Sequence, residues 1–152
     1  MSKTIFDLIK KDHEQVKDLF KQITRKKQQP ESIFPRIQQE LDMYFHGEET
    51  VFYPYFREQQ QTRGLTMESI EEHNIAKKEL DELKRLSTSD EWFPPKIKVL
   101  EEVFRMHVEE EESDLFKKAK RLIGKEQAQE MGVKFEQNKQ QMMGTTASSQ
   151  KR

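Results

Sequence analysis

The chain has 152 residues, a length typical of one domain, with 27 lysines and arginines against 28 aspartates and glutamates. The net charge of −1 excludes the strongly basic composition of a nucleic-acid-binding domain, so no nucleic-acid partner is expected. The absence of cysteine excludes disulfide scaffolds, thiolate metal sites and iron–sulfur clusters. No stretch approaches the roughly 18 apolar residues of a membrane span, and the start of the chain lacks a secretory pattern. We therefore expect a cytoplasmic protein without a membrane partner.

Prolines and glycines divide the chain into segments whose apolar residues recur at helical spacing. The first predicted helix runs from Thr4 to Lys26 and the second from Ser32 to Gln60. Pro54 lies inside the second helix and is expected to kink it. The first half of the chain therefore predicts two long amphipathic helices.

The second half repeats this pattern. The third predicted helix runs from Thr66 to Leu86 and opens on a capping pattern at Thr66. The fourth runs from Asp90 to Leu122, with two prolines near its start that can delay or distort it. A weaker fifth helix, from Lys125 to about Met142, is expected to pack on the outside of the domain or to fray.

No run alternates apolar and polar residues for long enough to indicate a sheet, so the predicted fold class is all-α. Four long helices with short connections predict an up-down-up-down four-helix bundle, which we assign to residues 1–124. Residues 125–152 then form a short accessory helix and a flexible tail that is disordered from about Gly144.

Three histidines interrupt the apolar faces of the predicted helices. His13, His73 and His107 each have apolar neighbours three and seven residues away, so their side chains should point inward. Glu111 follows His107 by one helical turn. A single inward histidine is usually a hydrogen-bonded core residue. Several imidazoles buried with a carboxylate are costly unless they satisfy one another or bind a cation, so together they favour a metal site.

An internal repeat adds two candidates to this set. The sequence around His13 resembles the sequence around His73, sixty residues later. At an offset of 63, Glu48 corresponds to Glu111, and Tyr44 corresponds to His107. These candidate ligands are predicted to lie on helices of two related halves.

The register of the second helix places Tyr44, rather than the nearby His46, at the ligand position. The face of Tyr44 is largely apolar and also carries Glu48, whereas the face of His46 is polar. His46 remains the alternative ligand. It could reach the site only through a local bulge, which Gly47 could permit.

This arrangement resembles the hemerythrin-like, or HHE cation-binding, family over about residues 1 to 125. The resemblance implies a non-haem di-iron centre in which two carboxylates bridge two iron ions and histidines complete the coordination. The metal ligands that it implies here are His13, Tyr44, Glu48, His73, His107 and Glu111. Glu48 and Glu111 would be the bridges, and the three histidines would be terminal ligands.

Two positions depart from the oxygen-carrying members of that family. Lys77 stands one turn after His73, where those members have another histidine. Tyr44 replaces a histidine, and a phenolate is a harder donor that favours ferric over ferrous iron. Both departures count against reversible oxygen carriage, which starts from the diferrous state.

The residues alone are compatible with iron, manganese or zinc, and the lack of thiolates together with a possible phenolate favours iron. A ferritin-like site would need a glutamate three residues before each histidine, but those positions hold Lys10, Ile70 and Phe104. Glu109, Glu110 and Glu112 are interpreted as an acidic face beside the site. Glu112 is the alternative ligand if the last helix is rotated.

The first functional hypothesis is a di-iron protein that reacts with or binds a small oxidant, namely peroxide, O2 or NO, with catalase-like peroxide decomposition as one possible activity. The second is an iron- or oxygen-sensing or storage module without turnover, in which metal occupancy alters the Lys125 to Arg152 segment. The third is a structural bundle with a degenerate site. The sequence indicates no protein partner and no oligomeric state.

Overall fold

The computed structural model describes residues 3–25 and 29–150, with side chains described as far as Gly144. Within those residues all the regular structure is helical, which confirms the predicted all-α class. None of the helices in this described part is both long and apolar enough to cross a lipid bilayer.

Seven α-helices and two five-residue π-helical turns make up the described fold. The α-helices are α1 (Ile5–Thr24), α2 (Pro30–Gly47), α3 (Tyr53–Arg57), α4 (Arg63–Lys84), α5 (Phe93–Glu110), α6 (Phe116–Leu122) and α7 (Lys125–Gln150). The first π turn (Glu48–Phe52) joins α2 to α3, and the second π turn (Glu111–Leu115) joins α5 to α6.

The helix ends differ from the predictions where a local hydrogen bond or a proline decides them. α1 ends at Thr24, and the predicted end at Lys26 lies outside the described residues. The predicted cap at Thr66 is wrong, because α4 already begins at Arg63 and the Thr66 hydroxyl donates to the Thr62 carbonyl at 2.7 Å inside the helix. α5 begins at Phe93 with its two prolines in the first turn, where a missing N–H is tolerated.

The second predicted helix is not continuous to Gln60, because the first π turn interrupts it. Within that turn the Tyr53 N–H donates to the Glu48 carbonyl five residues earlier, and the Phe116 N–H donates to Glu111 in the same way in the second π turn. Pro54 lies directly after the first π turn, in the first turn of α3. The irregularity predicted at Pro54 therefore starts just before it.

One apolar core runs between the long helices and includes residues of every α-helix. α4 and α5 run antiparallel, because Glu72 meets His107 at one end of the pair and Glu82 meets Lys96 at the other. α1 packs against both α2 and α5. The alternating direction of all four long helices remains a prediction.

The last helix packs more closely than predicted. Phe135 of α7 is buried, and a Cβ added to Gly47 would lie only 2.6 Å from its ring. A Cβ added to Gly132 would lie 2.6 Å from the Lys3 carbonyl oxygen. α7 also continues through Gly144 to Gln150, beyond the predicted end of order, because an isolated glycine costs a helix only about 1 kcal/mol. The helix is therefore longer than the predicted segment and contributes Phe135 to the core.

Candidate metal centre

The six predicted ligands lie together in the middle of the helices. Each of these six residues is at most 3% exposed. These residues are His13 on α1, Tyr44 on α2, Glu48 on the first π turn, His73 on α4, His107 on α5 and Glu111 on the second π turn. The inward orientation predicted from the apolar faces is therefore present in the structure.

Two groups of three side chains in this cluster could each hold a cation. Glu48, His73 and His107 form one group, and His13, Glu48 and Glu111 form the other. Within each group the donor atoms lie within 4.8 Å of one another. Glu48 belongs to both groups, so two cations bound here would share it. Glu111 also reaches both, with one oxygen 3.2 Å from His13 Nε2 and the other 3.3 Å from His107 Nε2.

On the side away from the cluster, each of the three imidazoles donates a hydrogen bond to a carboxylate. The first of these contacts joins His13 Nδ1 to Glu112 at 2.5 Å, the second joins His73 Nδ1 to Glu49 at 2.7 Å, and the third joins His107 Nδ1 to Glu72 at 2.8 Å. An ionised carboxylate only accepts hydrogen bonds, so each Nδ1–H donates and each Nε2 faces the cluster. Carboxylate–histidine pairs of this kind orient metal ligands and raise their basicity.

The two alternative ligands lie outside the cluster. His46 is exposed, as the polar face of its helix position predicted. Glu112 contacts His13 Nδ1 on the outer side of the imidazole, so it supports a candidate ligand rather than replacing Glu111. Glu49, which corresponds to Glu112 in the internal repeat, has the same relation to His73.

Tyr53 is a cluster member that the sequence reasoning missed. Its hydroxyl oxygen lies 2.6 Å from Glu111 Oε2, 2.9 Å from Glu48 Oε1 and 3.1 Å from His73 Nε2. Tyr44 occupies the other side, with its hydroxyl oxygen 2.9 Å from His13 Nε2 and 2.8 Å from His107 Nε2. The cluster therefore contains two phenol oxygens.

The first π turn explains why Tyr53 was overlooked. In a continuous α-helix, a residue five positions after Glu48 points about 140° away from it. A π turn holds more residues per turn, and its five residues bring Tyr53 back towards the face of Glu48. The internal repeat offered a signal, since Tyr53 corresponds to the apolar Phe116 in the second half. Tyr53 carries a hydroxyl where Phe116 has none, and this difference between the halves is the signal.

The carboxylates keep two of the buried imidazoles protonated in the protein alone. Burial by itself lowers the pKa of His13, but hydrogen bonds to Glu111 and Glu112 raise that pKa to about 9. Burial also lowers the pKa of His107, but the charge of Glu111 outweighs burial and raises this pKa well above its usual value. Burial would raise the pKa of Glu111, but the neighbouring His107 holds it well below the usual range. The cluster thus combines ionised carboxylates with imidazolium groups.

Both tyrosines are neutral phenols in the protein alone. Burial, followed by the negative charges of Glu111 and Glu48, raises the pKa of Tyr44 and of Tyr53 well above the usual value. A phenolate at either position therefore needs a strong positive charge beside the hydroxyl oxygen.

The donor set fits a cation. Glu48 Oε2 is buried and has no hydrogen-bond partner among the described residues. His73 Nε2 and His107 Nε2 face each other at 3.3 Å, so the cluster holds two imidazole nitrogens within reach of one cation. Imidazole, carboxylate and phenol donors that converge in a buried core match the preferences of a transition metal.

Lys77, at the position of the missing histidine, does not enter the cluster. Its Nζ donates to Glu49 Oε1 at 2.7 Å and lies over the ring of Phe45. Glu49 in turn accepts from His73 Nδ1. The lysine therefore supports a carboxylate that holds a candidate ligand.

The chain is similar to a curated protein and to a solved structure. The chain is 30% identical over 149 residues to a DNA nickase of Nostoc sp. (strain PCC 7120). That match covers 95% of this chain but only 42% of the nickase, so the chain spans less than half of that relative. The crystal structure of a hemerythrin HHE cation-binding domain-containing protein from Mycobacterium kansasii has the same fold, with a TM-score of 0.83 at 21% identity. The superposition covers 96% of this chain and 91% of that one.

The family model of the hemerythrin HHE cation-binding domain matches residues 4–119, which hold all of α1 to α5, both π turns and the whole His/Glu cluster. The resemblance seen in the sequence is thereby confirmed. The chain belongs to the hemerythrin HHE cation-binding domain family.

Proposed function

We propose that this chain holds two non-haem iron ions in the His/Glu/Tyr cluster and uses them in redox chemistry with a small oxidant. The observation that carries the proposal is the pair of three-residue groups that share Glu48. A carboxylate placed between two such groups is suited to bridging two cations. Glu111, which reaches His13 and His107, is the second proposed bridge.

The choice of iron rests on the oxygen donors. Tyr44 and Tyr53 each direct a phenol oxygen at imidazoles and carboxylates of the cluster. Phenolate and carboxylate are hard ligands that stabilise the ferric state, and iron also accepts imidazole. Zinc and manganese are compatible with imidazole and carboxylate, but neither has a comparable reason to be surrounded by two phenols.

Iron bound here would supply electron exchange with the oxidant, and the surrounding residues would control access and protons. His13, His73 and His107 are held in place by their outer carboxylates, so little reorganisation is needed. The inner donors are almost completely buried, which limits the reaction to small molecules. Peroxide, O2 and NO are small enough to reach such a core, and peroxide decomposition is the reaction that we would assay first.

The first test is the iron content and visible spectrum of aerobically purified protein. We expect iron to co-purify with a broad long-wavelength band that arises from a phenolate ligand. Tyr44→Phe and Tyr53→Phe remove the two inner hydroxyls, and the band should disappear or shift in at least one of them. Tyr55→Phe is the matched control, because Tyr55 is the remaining tyrosine and is not part of the cluster. Iron without any tyrosine-dependent band would remove the phenolate, and no bound metal would overturn the proposal.

The second test measures peroxide consumption. Iron-loaded protein should consume hydrogen peroxide at least about tenfold faster than the Glu111→Ala variant, compared at equal helical content. Glu109→Ala is the control, since Glu109 is exposed near the end of α5, two residues before Glu111. Equal rates for the native chain and Glu111→Ala would exclude turnover. Retained iron would then favour the sensing or storage role.

A further inference from the structure

The internal repeat relates one more pair of acidic residues. Glu72 immediately precedes His73, accepts a hydrogen bond from His107 Nδ1 and is largely buried. The offset of 60 places Asp12, immediately before His13, at the corresponding position in the first half. Because the repeat relates Asp12 to Glu72 and Tyr44 to His107, we expect Asp12 to be the outer carboxylate of an imidazole placed at position 44.

Asp12 has no such imidazole, because a phenol ring has no nitrogen to donate from. The residue is nevertheless 2% exposed. One carboxylate oxygen accepts from Lys139 Nζ, and the other is buried with no hydrogen-bond partner among the described residues. Three outer carboxylates, those of Glu49, Glu72 and Glu112, accept from an imidazole of the cluster. Asp12 instead accepts from a residue of α7, a helix that lies beyond the residues that the family model matches.

The position of α7 brings this ion pair close to the metal centre. Phe135 packs against Gly47, the residue immediately before Glu48. One turn further along α7, Lys139 meets Asp12, the residue immediately before His13. The last helix therefore contacts the chain next to two of the proposed ligands, on α1 and at the end of α2.

We propose that Lys139 is a positioning residue of the metal centre, whose ammonium group replaces, at Asp12, the ring N–H that Tyr44 cannot donate. The proposal rests on the proposed function, because it assigns Lys139 to the support of bound metal. Through Asp12, Lys139 fixes the register of α1 at His13 and the docking of α7 on the bundle. The C-terminal helix thus supplies the donor that Asp12 lacks when position 44 is a tyrosine.

Removing Lys139 leaves a buried carboxylate without a counter-charge, which a folded protein tolerates poorly. The chain can relieve this by turning Asp12 towards solvent, and that movement displaces the adjacent His13 and loosens α7. Lys139→Met should therefore weaken metal binding by about 10- to 100-fold, the usual effect of losing a residue behind a ligand. Lys134→Met, an exposed lysine on the same helix, is the matched control and should change nothing.

The decisive experiment is a double-mutant cycle between positions 44 and 139 in the full chain. The readouts are the rate of iron release to a chelator and the rate of cleavage of α7 by thermolysin in metal-free protein. Tyr44→His gives Asp12 an imidazole N–H, so adding Lys139→Met should change either rate by no more than about twofold. In the native background the same change should be tenfold or more. Asp12→Asn, which removes the charge, should abolish the effect of Lys139→Met in the same way.

Each outcome has one meaning. Equal effects of Lys139→Met with tyrosine and with histidine at position 44 would overturn the proposal, as would the absence of any effect in the native background. If the native chain binds no iron, the proposed function fails, while the thermolysin cycle on metal-free protein still tests the coupling. If iron binds and the two changes are additive, the role of Lys139 fails alone.

Discussion

The two halves of the bundle, α1 to α3 and α4 to α6, repeat the same backbone but place different donors in it. Each half has a long helix with an inward histidine, followed by a helix that passes into a π turn at a buried glutamate. The halves differ at two inner positions, where Tyr44 and Tyr53 correspond to His107 and Phe116. Both phenol oxygens therefore come from the first half. The difference shows that a repeated scaffold can present two inequivalent groups of donors, one with two imidazoles and one carboxylate and the other with one imidazole and two carboxylates.

The largest expected effect comes from removing a shared carboxylate. Glu48→Gln should lose both ions, because Glu48 belongs to both three-residue groups, with binding weakened by well over about a hundredfold. Glu111→Gln should retain one ion, since Glu48, His73 and His107 remain. Metal content by mass spectrometry measures the difference, with Glu109→Gln as the control. If the two variants lose the same amount of metal, the inequivalence of the two halves is wrong.

Acidification should weaken metal binding next most strongly. The pKa of His13 is raised to about 9 in the protein alone, so below that pH a cation must displace a proton from the imidazole. Apparent affinity should therefore fall as pH falls below about 9, by up to about tenfold per unit for each displaced proton. Chelator competition between pH 6 and 9 measures this slope. Glu112→Gln removes one cause of the raised pKa and should flatten the slope, and an unchanged slope would contradict the assignment to His13.

Removing an outer carboxylate should have a smaller effect that is similar in the two halves. Glu49→Gln and Glu112→Gln each take away the acceptor behind one imidazole, so each should weaken metal binding by about 10- to 100-fold. Glu102→Gln, on an exposed part of α5, serves as the control. Chelator competition at fixed pH is the measurement. An effect confined to one half would show that only one imidazole depends on its carboxylate.

The smallest effect is expected at Lys77. Its bond to Glu49 lies at the surface, where an ion pair contributes at most about 1 kcal/mol. Lys77→Met should therefore weaken metal binding by less than about fivefold, as measured by the same chelator competition. The exposed neighbour Lys78 provides the control variant. A loss as large as that of Glu49→Gln would mean that the lysine, rather than the carboxylate, determines the orientation of His73.

Much of the fold and cluster could be predicted because straight helices obey a fixed period. The inward faces of His13, His73 and His107 follow from apolar residues one and two turns away, and the repeat then indicated Tyr44 over His46. These predictions needed no knowledge of how the helices pack. They hold because each residue was compared with neighbours on its own helix.

The features that escaped prediction depend on a break in that period or on contacts between distant segments. Tyr53 reaches the cluster only because the first π turn changes the angle between Tyr53 and Glu48 around the helix axis. Hydrophobic periodicity does not predict such a turn. α7 has few apolar residues, but its Phe135 fits against Gly47 and its Gly132 against the backbone at Lys3. Close packing of this kind depends on the absence of a side chain, which hydrophobic periodicity does not detect.

The π turns also determine how the chain tolerates changes in its length. Deleting one residue from a regular helix turns everything after it by about 100°, which usually destroys the packing. A π turn already contains one residue more than an α-helix needs, so a single deletion between Glu48 and Tyr53 would restore ordinary helical hydrogen bonding. The backbone would survive, and Tyr53, then four residues after Glu48, would stay on the same helix face at about 40° from it. An evolving gene could thus lose one codon at this point and keep its donor set, which the loss of a codon from the regular part of α2 would not allow.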